Sequence, residues 1–406
     1  MAEGQPVINS VFDQDYLHDP HLVYSRLRAE EPVTLTTTPQ GVQVWLVTRY
    51  DDVRAALTDP RVSKDFPGNP GMMKANEVAG GDSSGAAAVV PDNMLFSDPP
   101  KHERLRRIVV KTFTAGRIRA LRPRIEQISS GLLDALGDEF DLLKDYAVPL
   151  PAMVIGELLG IPERDWPRMI HLSGITIEGS AQDPQQVVAA VEETLAYLRE
   201  LCAAKRAEPA GDLISAMVQM HDEAGRMNAT ELVDTAWLLL VAGHETTVHL
   251  ISNGMLALLR HPGQLARLRD DPGLIPDMVE EVLRHDGPIS TSTLRFTTEP
   301  VTIGDADIPA GQLILVSLLA ANRDHAQYER PDQFDVTRKP AQHLAFGHGI
   351  HYCLGAPLAR VEAEIAFRHL LRRYPGLELA VPESRLAWRP GMLMHGLTSL
   401  PVRLTR

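Results

Sequence analysis

The sequence predicts a mainly α protein with a minor β region, and three observations carry that prediction. Amphipathic helical periodicity recurs over 100–113, 116–136, 149–160, 184–206, 212–222, 229–260 and 275–286. Strand-like patches are short and gathered: 33–37 and 42–47, then 290–297, 301–303 and 313–318, then 377–379 and 397–404. No Ser-, Gly- or Pro-rich linker splits the 406 residues into separately patterned halves, so residues 1–406 read as one large domain.

In chain order, Asp19-Pro20 opens a short helix over 20–31. The 33–37 and 42–47 patches flank Pro39-Gln40-Gly41, a hairpin signal. Tyr50 to Leu57 is a second short helix, closed by Asp59-Pro60. The stretch from about Ser63 to Asn93 holds five glycines with Ala and Ser, and reads as a long functional loop. Gly174, Gly179 and Pro184 mark a turn region between helices.

The bulk numbers exclude several classes. Hydrophobic residues make up 44% and charged residues 23%, which suits a globular protein with a sizeable core. A net charge of -13 argues against nucleic-acid binding. Only Cys202 and Cys353 occur, far apart, so no disulfide framework is expected; Cys202 reads as a small core residue. The N-terminus shows no signal-peptide pattern, and the longest apolar runs, 236–243 and 313–321, are too short to span a bilayer. The expectation is a soluble cytoplasmic protein with no membrane partner.

Chemistry concentrates first at Cys353, in the run from Phe346 to Pro357. Three glycines in ten residues suit a tight loop whose backbone passes close to something flat. Past Pro357, Leu358, Val361, Ile365, Ala366 and Leu370 form a helical stripe, so Cys353 stands where a loop feeds a helix N-terminus. Partial positive charge there favours a thiolate able to ligate a metal from one side. A lone cysteine is by itself more often a small buried residue. The second signal is Leu238 to Thr247 inside the longest helical pattern, where Ala242, Gly243, Glu245, Thr246 and Thr247 interrupt an apolar run. Gly and paired Thr are poor mid-helix choices, and a carboxylate there needs a use or a partner. A local departure from the regular ladder is expected at that point. A zinc-protease reading of His244-Glu245 fails on spacing: position 248 is Val, and His249 lies five residues along rather than four.

Two further patterns complete the set. Glu281 and Arg284 share a helical face, and Arg338 follows in Phe334-Asp335-Val336-Thr337-Arg338. His102 and Arg106, four apart after Phe96-Ser97-Asp98-Pro99-Pro100, project together, with Arg295 and His351 further on.

Together, in this order, these motifs resemble the cytochrome P-450 haem-thiolate monooxygenases, over nearly the whole chain from about Asp19. The resemblance implies a triangular helical prism with haem b between the 229–260 helix and the helix after Cys353. It implies Cys353 as the axial thiolate ligand, with Ala242, Gly243 and Phe346 against the haem. It implies Glu245 and Thr246 as the acid–alcohol pair of oxygen activation and proton delivery. His102, Arg106, Arg295 and His351 match the positions that hold the propionates, and Glu281, Arg284 and Arg338 match a structural triad. Since no flavin or nucleotide module follows, O2 chemistry would draw electrons from a ferredoxin and its NAD(P)H-dependent reductase. Arg107, Lys111, Arg117, Arg119 and Arg360 are candidates for the basic docking face.

The expected cavity walls are 63–95, 172–184, Leu238–Ala242, Ile289–Thr293 and Met392–Leu397, chiefly aliphatic and small, which suits a bulky apolar small molecule. The nearest resemblance is to soluble bacterial macrolide and polyketide-tailoring hydroxylases, with sterol-like or other terpenoid substrates as the alternative. A peroxide-driven peroxygenase is expected to lack the acid–alcohol pair. A haem sensor would need no oxygen-activating helix.

Overall fold

A computed structural model describes residues 10–82, 91–178, 184–224, 227–339 and 342–404. Its axis is the helix Ala229–Arg260. A capping box starts this helix: Glu231 N–H donates to Asn228 Oδ1 at 2.8 Å, and Asn228 N–H donates to Glu231 Oε2 at 2.9 Å. Glu231 also accepts from Arg104 Nη1 at 3.0 Å, which fixes the helix Lys101–Thr112 against it. Most of the long helix is buried on all sides, as a helix crossing the middle of a large core must be. Helices Pro149–Leu159, Ile275–Asp286 and Ala356–Arg373 pack around it. Gly254 lets the last of these come close, because a Cβ there would lie 2.5 Å from Phe367 Cζ.

The predicted hairpin forms, pairing Val33–Thr37 with Gln43–Val47 antiparallel and Val33 opposite Val47. It is one edge of a five-stranded sheet. Leu313–Val316 lies parallel to Gln43–Val47, Arg295–Thr297 runs antiparallel to Leu313–Val316, and Val62–Ser63 closes the far edge on Arg295–Thr297. That order sets Arg295 and the residue after Ser63 side by side. A three-stranded sheet joins Glu139–Asp141, Pro401–Leu404 and Leu377–Leu379.

The expected triad is built as a buried network. Arg284 Nε and Nη2 donate to the two Glu281 oxygens at 2.8 and 2.9 Å, and Arg338 Nε donates to Glu281 Oε1 at 3.1 Å. Beside it, His21 and His395 each meet Asp286 Oδ1 at 2.9 Å, tying the helix Pro20–Glu30 to the C-terminal segment.

Several expectations are corrected. The stretch 172–178 is not a turn but the end of the helix Trp166–Glu178; Gly174 sits in open space inside it, while 179–183 lie outside the described residues. A helix Pro262–Asp270 went unread because its buried face is only Leu265 and Leu268. The 290–297 strand shrinks to Arg295–Thr297. The long 63–93 loop is tied down, with a helical turn at Met72–Ala75 and Val78 N–H donating to Gly41 O at 2.9 Å; its residues 83–90 lie outside the described set. The long helix runs unbroken through Gly243–Thr247, so the expected local departure does not occur there. Among the described residues, no helix is long and apolar enough to cross a membrane.

Candidate active site

The long helix and the Cys353 loop face each other across a cavity of about 1530 Å³ of empty space, its open mouth included. Ala242, Gly243, Thr246 and Thr247 form one wall with Leu238 and Leu239, and Phe346, Cys353 and Leu354 form the opposite one. The 63–95 segment contributes Lys64, Met94 and Leu95. Ile289, Ser292, Thr293 and Leu393 line it as expected, whereas no described residue of 172–178 does.

The glycines of the loop serve its shape. Gly347 and Gly349 hold φ of +73° and +72°, and a Cβ on Gly349 would press to 3.0 Å from Thr58 Cγ2. Cys353 N–H donates to Phe346 O at 2.8 Å, which closes the loop and turns the sulfur to the cavity. Cys353 is exposed to the cavity; the protein atoms crowding around it push its thiol up, while the backbone N–H groups of Gly355 and Ala356 and the charges of Arg106 and Arg360 pull it back. The helix start thus favours the thiolate as expected, but that crowding outweighs it. A bound metal ion deprotonates such a thiol outright.

At the sheet side of the cavity stands a nest of basic side chains. His102 is buried with neither ring nitrogen partnered, and His351 Nε2 and Arg295 Nε are buried without partners too. The two imidazoles lie 4.3 Å apart between centroids. Arg106 Nη2 donates to Tyr352 O at 2.6 Å. The sequence reading missed Lys64, which the Val62–Ser63 strand sets beside Arg295. It is buried, and its Nζ donates to Thr293 Oγ1 at 2.7 Å. Burial first, then the repulsion of Arg295, holds the Lys64 ammonium well below its ordinary value. Burial takes Arg295 down to about 10, with Asp98 opposing. Burial and the surrounding cations drive His351 down strongly. Buried basic groups with unpartnered nitrogens are costly unless an acceptor meets them. This donor set fits a group carrying two carboxylates, as haem does with its propionates.

Glu245 points elsewhere. It does not line the cavity but pairs with Arg389, and His249 Nε2 and His244 Nε2 stand 3.6 and 3.9 Å from its oxygens. Burial alone would raise its pKa; the neighbouring His249, Arg389 and His244 instead bring it to about 2. Thr246 Oγ1 faces the cavity with only a 3.5 Å contact to Ala242 O. Thr247 contributes to the same wall but is buried. Of the docking candidates, Arg107, Lys111 and Arg119 are exposed, and Arg117 Nη2 donates to Gly211 O at 3.0 Å. Arg360 is committed inward to Glu280 at 2.6 and 2.8 Å, which removes it from a free basic face.

Comparison with known proteins agrees with this geometry. The family profile described as Cytochrome P450 matches residues 165–272 and 273–394. Cytochrome P450 107B1 of Saccharopolyspora erythraea is 46% identical over 406 residues, covering 99% of both chains. The 6-deoxyerythronolide B hydroxylase of the same organism is 41% identical, covering 97% of this chain and 98% of that one. The tirandamycin C-bound P450 monooxygenase TamI superposes with a TM-score of 0.89 at 43% identity, covering 98% of this chain and 100% of that structure. An apolar cavity between a Thr-bearing helix and a cysteine loop, rimmed by basic side chains with unmet donors, therefore has a family to go with it: the chain belongs to the cytochrome P450 family and is a monooxygenase.

Proposed function

We propose that this enzyme hydroxylates a large polyketide, a macrolide ring first, using O2 and haem b held by Cys353. The observation that carries the reading is the cavity itself. It lies between the long helix and the Cys353 loop, and Leu238, Leu239, Ile289 and Leu393 give it an apolar wall suited to a bulky apolar molecule. The relative that hydroxylates 6-deoxyerythronolide B and the tirandamycin-bound neighbour support the same substrate class.

Cys353 would hold the iron, and Arg106, Arg295, His102, His351 and Lys64 would meet the propionates. The haem supplies the oxygen chemistry; the chain supplies orientation, proton access and exclusion of water. Thr246 is the hydroxyl on the cavity wall that holds a proton there. Glu245, held outside the cavity by Arg389, would deliver protons to that wall on release from this clamp. Electrons come from a ferredoxin and its NAD(P)H-dependent reductase, docking where Arg107, Lys111 and Arg119 are exposed.

A spectral titration tests the substrate class. Macrolides are expected to shift the iron from low to high spin at micromolar concentrations, on the order of 8 kcal/mol of binding. Sterol-like skeletons are the second arm of the screen. Tight binding of medium-chain fatty acids, with no response to any macrolide or sterol, would overturn the proposal.

A further inference from the structure

Outside the cavity, on the far side of Phe346, lies a compact charge cluster that the reaction as described does not use. Arg360 lies over the Phe346 ring, its guanidinium carbon 4.6 Å from the centroid. Glu280 fixes it there through two hydrogen bonds, Arg360 Nε to Oε1 at 2.6 Å and Nη2 to Oε2 at 2.8 Å. His343 adds a third contact to Glu280 Oε2 at 3.2 Å. The tautomer of His343 follows from its other nitrogen. Ala345 N–H donates to Nδ1 at 3.2 Å, so Nδ1 carries no proton and Nε2–H is the donor to Glu280. The cluster is thus one cation and one anion, with a neutral imidazole holding the anion in place.

Its position matters because Phe346 is the residue whose carbonyl accepts from Cys353 N–H at 2.8 Å. A cation over that ring sits on the residue that closes the Cys353 loop, in partly buried surroundings where solvent screening is weakened. We propose that Arg360, positioned by Glu280 and His343, sets the reduction potential of the haem bound at Cys353, with Glu280 as the counterweight that limits its effect. The inference rests on Cys353 being the haem ligand. Reduction adds one electron, supplied in a titration by dithionite, and makes the haem–thiolate unit one charge more negative. A nearby cation favours that state and a nearby anion opposes it. Arg360 acts as a positioning residue: it touches neither substrate nor the reacting atoms, and its influence runs through charge.

The test is a four-member cycle of spectroelectrochemical titrations on the holoenzyme. Arg360→Gln removes the cation and should lower the midpoint potential. Glu280→Gln keeps an acceptor for Arg360 but leaves its charge unopposed, and should raise it. The double variant should return toward wild type. Arg360→Lys keeps the charge while losing the planar fork, and should stay nearer to wild type than Arg360→Gln does. Shifts of the two single variants in the same direction, or midpoints that do not move, would overturn the proposal and leave the cluster a packing device. Each protein is first checked for the red-shifted Soret band of its reduced carbon monoxide complex. A wild type without that band contradicts the thiolate reading itself; a band present with unmoved potentials contradicts only the role of Arg360.

Discussion

Thr246→Ala is expected to keep consuming NAD(P)H while making little product. The helix presents this hydroxyl to the cavity with only a marginal contact to Ala242 O, so its hydrogen-bonding capacity is left for what enters the cavity. Removing it should leave haem and substrate binding intact and divert reducing equivalents to hydrogen peroxide. Product per NAD(P)H should fall by roughly an order of magnitude or more, given the ~10²–10⁴ that positioned proton transfer typically contributes. Thr247→Ala is the control. Its side chain is buried, so its loss should act on packing more than on coupling. A purely structural Thr246 predicts lower thermal stability with unchanged coupling, and a wild-type yield per NAD(P)H would remove it from the mechanism.

Arg295→Leu is expected to release haem. Arg295 is held in the sheet by pairing with Ile314, is buried, and keeps its Nε unpartnered. A hydrogen bond to a charged group contributes about 1.5–3 kcal/mol, so the variant should retain haem some 10- to 150-fold less tightly. Arg106→Leu should act in the same direction but less strongly, since Arg106 already spends one donor on Tyr352 O. Lys64→Met should also weaken retention. Haem transfer to apomyoglobin measures these effects directly. Among the proteins still carrying haem, the order of substrate preference should be unchanged; an altered order at full occupancy would place the residue in the substrate site instead.

What the sequence made legible follows the range of the forces involved. The long helix, the Cys353 loop and the Glu281–Arg284 pair are local patterns, written in periodicity, glycine placement and three-residue spacing. They formed where they were expected. Lys64 was not legible, because nothing near it in sequence distinguishes it; it becomes a site residue only when Val62–Ser63 pairs with Arg295–Thr297. Glu245 and Arg389 are 144 residues apart, so the clamp that turns the acid from the cavity left no local trace. Arg360 looked like one more surface cation. Its commitment to Glu280 depends on how the helices Ile275–Asp286 and Ala356–Arg373 cross. The missed helix Trp166–Glu178 failed for the opposite reason: Gly174 is a sound local turn signal that tertiary packing overrode.

The central claim is that Cys353 is the thiolate ligand of a haem lying between its loop and the Thr246 helix. The reduced carbon monoxide complex of wild type and Cys353→Ser tests it most directly. Wild type should show the red-shifted Soret band of thiolate ligation, and the serine variant, if it retains haem, should lose it. A serine variant that keeps the red shift would contradict the account, because the ligand would then be some other group.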